Sequence, residues 1–374
     1  MLGEGTRPLL IASGGSGDVI SAWAVARSRG YQAPVFAAPM WERSILDPRP
    51  GPRGVADIDR LETTAGGARI TAGTRLPGGW SPLPELVDKT GIELYLLDVT
   101  TGVRGLAAQL RRIADHVGAG RLHLVDAGGD IAARGDESGL VSPALDALLL
   151  SAAESCGIPG TVTVVGTGLD GELTPRETAD ARAALAWTTE EPISRDVAAD
   201  VYRRLNWFPS EASLLTLLAA QGVTAAVDIA AGREPVVLDA EAARPFSVDV
   251  ASVARRNRLA GALRETEDFL SADTILREFG CVSEYGLEVA KSFRRPITSR
   301  SLPWQDHSLM DLLDDVHNDA DHVSVRRIYR KLSLTGRREH HHLVCWLADR
   351  HTSRFRNPML SLRGLHHASS PLDS

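Results

Sequence analysis

The chain predicts an α/β protein built on a doubly wound, mostly parallel, Rossmann-like sheet with a helical C-terminal extension. Three observations carry that expectation. Short apolar runs such as Leu9-Leu10-Ile11-Ala12 have strand length and lack the alternation of a strand that faces water on one side. Several of these runs end in a turn that bears glycine, and a helical pattern follows. The alternation recurs from residue 6 to about residue 240, as parallel strands require when helices make their crossovers.

The first unit is Leu9-Leu10-Ile11-Ala12, the turn Gly14-Gly15-Ser16-Gly17-Asp18, and a helix that Gly30 ends. In that helix Ala22, Val25 and Ala26 recur at helical spacing. Pro34-Val35-Phe36-Ala37-Ala38 reads as the second strand. Trp41-Glu42-Arg43 comes next, then Asp47-Pro48-Arg49-Pro50-Gly51-Pro52-Arg53, whose prolines predict a rigid extended loop. Such a loop either closes over a pocket or is a plain surface connection. Residues 68–72 and 93–99 predict strands, and 103–117 a helix with Leu106, Leu110, Ile113 and Val117 on one face. Leu122-His123-Leu124-Val125 leads into Asp126-Ala127-Gly128-Gly129-Asp130. Ser142-Pro143 and Thr174-Pro175 each read as an N-cap with proline at the first helical position. Between them lies a strand over 161–165, running into Gly166-Thr167-Gly168-Leu169-Asp170-Gly171-Glu172. Residues 236–239 predict a last strand. From residue 248 the pattern is helical, over 254–263 and 272–279. A turn-rich break at 296–304, a helix over 309–316, a basic stretch over 325–346 and a frayed end at 366–374 complete the chain.

Composition narrows the function. The formal charge of −7 argues against a general nucleic-acid or anionic-membrane partner, although residues 294–363 are rich in Arg and His. Three cysteines are too few for a disulfide framework or a zinc knuckle, and a reducing cytoplasm fits them. No secretory signal pattern and no run of about 18 apolar residues is present, which again points to the cytoplasm.

Acids stand at four strand ends: Asp18, Asp98, Asp126 with Asp130, and Asp170 with Glu172. Taken singly, each is more readily a helix cap or a turn former. Parallel strands, however, bring their carboxyl ends to one sheet edge, and most of these turns carry glycines that bare the backbone. One chemistry uses both features. Carboxylates hold Mg²⁺, the metal bridges to substrate phosphates, and backbone N–H groups take the same phosphates. Asp18, Asp126, Asp130 and Asp170 are therefore the expected catalytic acids, with Asp18, Asp126 and Asp130 as metal ligands. Gly14, Gly15, Ser16, Gly17, Gly128, Gly129 and Gly168 are the expected anion cradle. Trp41, Glu42 and Arg43 suit a pocket wall, and Arg43, Arg49 and Arg53 could meet an anionic substrate. In the rival chemistry the same carboxylates act as general acids and bases without metal.

Familiar alternatives fail on spacing. There is no G-x-x-x-x-G-K-[ST] and no G-x-S-x-G, and the first turn breaks G-x-G-x-x-G because residue 20 is isoleucine. His123, inside a strand, is expected to be a buried, hydrogen-bonded histidine, and Cys156 is expected to be packing. Glu339-His340-His341-His342 reads as a solvated or interface face, since same-face ligands on a helix sit three or four apart.

Four ordered stretches resemble the DUF1152 family, which is found in archaea and bacteria. They are Gly14-Gly15-Ser16-Gly17-Asp18-Val19-Ile20-Ser21-Ala22; the Trp41-Glu42-Arg43 and Asp47–Arg53 pair; Asp126-Ala127-Gly128-Gly129-Asp130 with Gly135-Asp136-Glu137 and Ser142-Pro143-Ala144-Leu145-Asp146; and Gly166-Thr167-Gly168-Leu169-Asp170-Gly171-Glu172. Cys281-Val282-Ser283-Glu284-Tyr285-Gly286-Leu287-Glu288 is similar to the family's C-terminal signature, with Gly286 where an acid is expected and, in the first turn, Ser16 where the family usually shows glycine. The resemblance covers about residues 7–292. It implies no reaction, because the family's name declares none.

The expected organisation is a Rossmann-like domain over 1–240, a helical segment packed on it over 241–296, and an Arg/His-rich extension over 297–374. The expected function is that of a soluble bacterial enzyme acting on a small phosphorylated or nucleotide-like metabolite by metal-assisted phosphoryl chemistry. Transfer, hydrolysis and ATP-driven ligation stay open, with Mg²⁺ and ATP or another nucleotide as cofactors. The alternatives are a metal-independent lyase, cyclase or hydrolase, and a non-catalytic ligand-sensing module. The extension is expected to serve homo-oligomer or partner contact.

Overall fold

The computed structural model describes residues 7–293, 316, 318–332, 334 and 336–363. The break, the 309–315 part of the helix and the frayed end named above lie outside them. A mostly parallel sheet of nine strands forms the body, and its centre holds five parallel strands. These are β1 (Leu9–Ala12), β2 (Val35–Pro39), β5 (Glu93–Leu97), β6 (Leu122–Ala127) and β7 (Gly160–Val165). Across the sheet their order is β5-β2-β1-β6-β7, every neighbouring pair parallel. The edges are antiparallel. On one side lie β3 (Glu62–Thr64) and β4 (Gly67–Ile70); on the other lie β8 (Thr188–Thr189) and β11 (Phe246–Asp249).

Every residue of β1, β2 and β6 is buried, which explains the continuous apolar runs. Alternate residues feed two cores. Leu9, Ile11, Val35 and Ala37 pack with Val103, Leu106 and Leu110 of α4 (Gly102–Val117) and with Leu145, Leu148 and Leu149 of α5 (Pro143–Ser155). Leu10, Ala12, Phe36 and Ala38 pack instead with α1 (Asp18–Ser28), α3 (Leu83–Thr90), α7 (Arg195–Leu205) and α8 (Glu211–Ala220). The chain steps outward from β1 to β2 and β5, then crosses back to the far side of β1 as β6. Neighbouring connections therefore diverge between β1 and β6, where an open α/β sheet leaves a crevice beyond its strand ends.

Local expectations differ from the structure in instructive ways. Thr174 caps α6 (Pro175–Ala184) in a reciprocal box with Glu177. Ser142 does not cap α5; its hydroxyl is turned to donate to Glu172 instead of accepting from a helix N–H. A short helix, α2 (Arg43–Leu46), precedes the proline loop. The helix expected over 254–263 is broken into α9 (Val250–Arg256) and α10 (Arg258–Leu263), because the Asn257 side chain accepts from Ala260 N–H and starts a new helix. Residues 236–238 are a strand, but in a second sheet.

That second sheet joins β9 (Ala225–Asp228) and β10 (Val236–Leu238) to the C-terminal part of the chain. It has β12 (His322–Ser324) parallel to β9, followed outward by β14 (Met359–Ser361) and β13 (Phe355–Arg356). The C-terminal part is thus mixed rather than helical, with α13 (Val325–Lys331) and α14 (Arg337–Arg350) beside its strands. Between the two sheets in sequence lie α11 (Phe269–Glu278) and α12 (Glu284–Phe293). No helix among the described residues is long and apolar enough to cross a membrane.

Candidate functional site

Strand register brings the glycine turns and the acids to one place. Ala12 lies opposite Val125, and Ser13 N–H donates to Val125 O at 3.0 Å, so the turn after β1 meets the end of β6. Asp126 lies opposite Val164, and Gly128 N–H donates to Val165 O at 3.0 Å, so the turn after β6 meets the end of β7. Glycine is required at the two junctions. A Cβ on Gly14 would stand 2.8 Å from Asp18 Oδ2, 3.4 Å from Asp146 Oδ2 and 3.6 Å from Asp126 Oδ1. One on Gly128, whose φ is +136°, would stand 2.2 Å from Asp170 Oδ2.

Three carboxylates converge closely. Asp126, Asp130 and Asp146 each offer an oxygen, all within 4.8 Å of one another, and all three residues are buried. Two of these were expected as metal ligands; Asp146 takes the place expected for Asp18. The Asp18 carboxylate accepts from Gly14 N–H at 2.7 Å. Asp146 Oδ1 is buried without a hydrogen-bond partner. An all-oxygen set with an orphaned buried carboxylate oxygen fits a hard divalent cation such as Mg²⁺.

Electrostatics express the same crowding. Burial first, then the Asp18 and Asp170 charges, push the Asp126 carboxyl well above its usual range. Burial and Asp146 do so for Asp130, and burial and Asp126 for Asp146. Burial raises Asp18 to about 7 against the opposing Gly14 N–H, and burial with the nearby Glu172 raises Asp170 to about 8.

Much of the expected cradle is occupied by the protein itself. Gly129 N–H donates to Asp126 at 2.8 Å, and Gly168 N–H to Gly128 O at 2.6 Å. The N–H groups of Gly15, Ser16 and Gly17, just ahead of α1, meet no acceptor among the described residues. Behind Gly129 lies a small apolar cleft of about 20 Å³ lined by Val164, Thr167, Leu173, Trp187 and Phe246.

The loop after β2 forms a second shell with defined jobs. Glu42 accepts from Ser16 Oγ and Ser81 Oγ, each at 2.6 Å, and burial lifts its carboxyl to about 7. Glu288 of α12 receives Trp41 Nε1 at 2.9 Å, Ser44 N–H at 3.0 Å and Gly51 N–H at 2.9 Å. Arg43 adopts φ +57°, stacks 3.7 Å over the Trp41 ring and pairs with Glu284, leaving Nη1 without a hydrogen-bond partner. Glu284 Oε2 also accepts from Ala144 N–H at 3.2 Å, and burial raises its carboxyl to about 7.

Other expected residues stand apart. Arg53 is buried and tied to Asp47, so its guanidinium is not free to meet a substrate, while Arg49 pairs with Asp57 at the surface. Asp98 accepts from Thr100 and Val55 N–H, a turn-forming role. His123 is buried against Tyr31 and bonded to Thr161, and burial lowers it to about 4. Cys156 is buried. Glu339-His340-His341-His342 gathers no metal-ligand set, the carboxylate trio being the one such group among the described residues.

Sequence reasoning missed Asp146, Glu284 and Glu288 as site residues. No local signal sets them apart, since Asp146 stands where first-turn acids are common and Glu284 and Glu288 share their helix face with Lys291. Asp146 falls within a continuous buried run over 143–153.

A family model described as "Protein of unknown function (DUF1152)" matches residues 9–292. No curated protein and no solved structure matches the chain.

Proposed function

The chain belongs to the DUF1152 family, and we propose that it is an enzyme using a divalent metal for phosphoryl chemistry on a small phosphorylated or nucleotide-like metabolite. The observation that carries this reading is the buried trio Asp126, Asp130 and Asp146 with its orphaned Asp146 Oδ1. We read the strand order as Rossmann-like, which puts the trio at the crevice between β1 and β6 where such sheets bind ligands. Mg²⁺ held there would neutralise charge on phosphoryl oxygens. The unengaged N–H groups of Gly15, Ser16 and Gly17 take a phosphate oxygen, favoured by the positive end of the α1 dipole. Asp18 or Asp170, each poised near neutrality, takes or gives a proton at its carboxyl oxygen.

A test uses the full chain with Mn²⁺ and with Mg²⁺–ATP. We expect saturable Mn²⁺ binding by electron paramagnetic resonance, lost in Asp146→Asn, and ATP binding that depends on the metal. Absence of Mn²⁺ binding by the wild-type protein ends the metal reading. The second reading, metal-free acid–base catalysis, is favoured by the four carboxyls lifted to between about 7 and about 8: Asp18, Glu42, Glu284 and Asp170. Turnover that survives excess EDTA selects it.

A further inference from the structure

The C-terminal part of the chain, beyond the family match, reaches back to the carboxylate site. β12 pairs with β9 from Val227 to Asp228, and Arg327 holds Asp228 at 3.3 Å. Arg330 Nη1 donates to Ala230 O at 2.8 Å. The loop that carries Ala230 packs on the turn after β7, where a Cβ on Gly171 would stand 2.7 Å from Gly232 Cα. Gly171 sits between Asp170 and Glu172. On the other flank α14 packs against α2, next to Arg43, and Arg337 stacks over Trp80 at 4.3 Å.

Arg326 and Arg330 of this arch and Lys291 of α12 lie near enough for their charges to act on one another. Arg326 and Arg330 are four apart on α13 and share a face, a like-charge spacing that costs stability unless something compensates it. Lys291 is seven residues beyond Glu284 on α12, on the face whose Glu284 and Glu288 grip Arg43 and the Trp41 loop. Among the described residues, none of the three has a carboxylate at ion-pair distance. Desolvation and the charges of Arg330 and Arg326 hold the Lys291 amine below its usual range. The surrounding protein and Arg326 bring Arg330 down to about 10 although its side chain remains exposed, as befits a guanidinium at the mouth of a concave surface. The charges of Glu211 and Glu172 also act on Arg330, and Glu172 acts in turn on Asp126, Asp130, Asp146 and Asp170. The geometry places Arg330 beside the loop that packs on the turn bearing Asp170 and Glu172.

We propose that Lys291, Arg326 and Arg330 form the anion-receiving wall of this site and take a phosphoryl oxyanion, free or carried on a metabolite. An unpaired cluster of cations beside a carboxylate-held metal matches a phosphate or diphosphate, which presents several charged oxygens to both at once. The inference rests on the metal-and-phosphate reading above and names the chain's own anion contacts for it. It also makes the C-terminal part a component of the site.

The test titrates inorganic pyrophosphate and, separately, Mn²⁺ into the full chain and into Arg326→Ala/Arg330→Ala. We expect the double variant to lose at least tenfold in pyrophosphate affinity while Mn²⁺ affinity changes less than threefold. Lys291→Ala, on an exposed side chain, supplies an independent check should the double variant fold poorly, and is expected to lose at least threefold. The wall is overturned if wild-type protein binds no pyrophosphate, or if the variants bind it as the wild type does. Failure of Mn²⁺ to bind overturns the metal reading alone, because the pyrophosphate titration is also run with EDTA.

Discussion

At the scale of single residues, the site depends on what Gly14 lacks. Its bare Cα lets Asp18, Asp126 and Asp146 approach from three elements, and a methyl group would press on Asp18 and touch the other two. Gly14→Ala is expected to cost about 1–3 kcal/mol through overpacking and to weaken Mn²⁺ binding by roughly 10–100-fold, as outer-shell changes at metal sites do. Chemical denaturation with a parallel metal titration checks both numbers. Unchanged metal affinity would mean that the three acids do not act together. Asp18 was legible as a special acid because glycines surround it in sequence. Asp146 was not, because nothing near it in sequence distinguishes it from a carboxylate in the first turn of an ordinary helix, where acids are favoured. Only the approach of α5 to the ends of β1 and β6 brings it beside Asp126 and Asp130.

At the scale of elements, the segment after β2 is held by buried charge rather than by its prolines alone. Arg53 and Asp47 are each 3% exposed and pair side by side. Arg53→Ala leaves the Asp47 carboxylate buried without its partner and is expected to destabilise the protein by about 3–5 kcal/mol. Replacing both residues with apolar ones of similar size should cost clearly less, and urea melts of the single and double variants decide the matter. Glu288 works from the opposite side: Glu288→Ala strands three N–H donors, at about 1–3 kcal/mol each, and should also loosen Trp41, read as a change in its fluorescence. The prolines announced a rigid loop. They could not announce that α12, more than 230 residues later, would hold it, because hydrogen bonds across such separations leave no local pattern.

At the scale of the whole molecule, the buried acids set the pH response. In the folded chain the carboxyls of Asp18, Glu42, Glu284 and Asp170 titrate at about 7, 7, 7 and 8, well above an unfolded carboxyl near 4. Between those limits the folded state binds more protons than the unfolded one, so their contribution is fully present below about pH 4 and is lost as pH rises through the folded values. His123, lowered to about 4 by burial and Arg29, acts oppositely below its unfolded value of about 6.5. The clean window is therefore pH 6.5 to 8, where the melting temperature of metal-free protein should fall steadily and added Mg²⁺ should oppose the fall. A flat profile in EDTA would contradict the burial of these acids. The strands, the glycine turns and the acids at their ends could be read from the chain alone, because apolar runs, turn residues and helix periodicity are local consequences of backbone sterics and burial. The grouping of Asp126 and Asp130 with Asp146, the grip of α12 on the Trp41 loop and the return of the C-terminal strands to β9 were settled only in three dimensions. Each joins residues whose sole common property is their position after the sheet has closed.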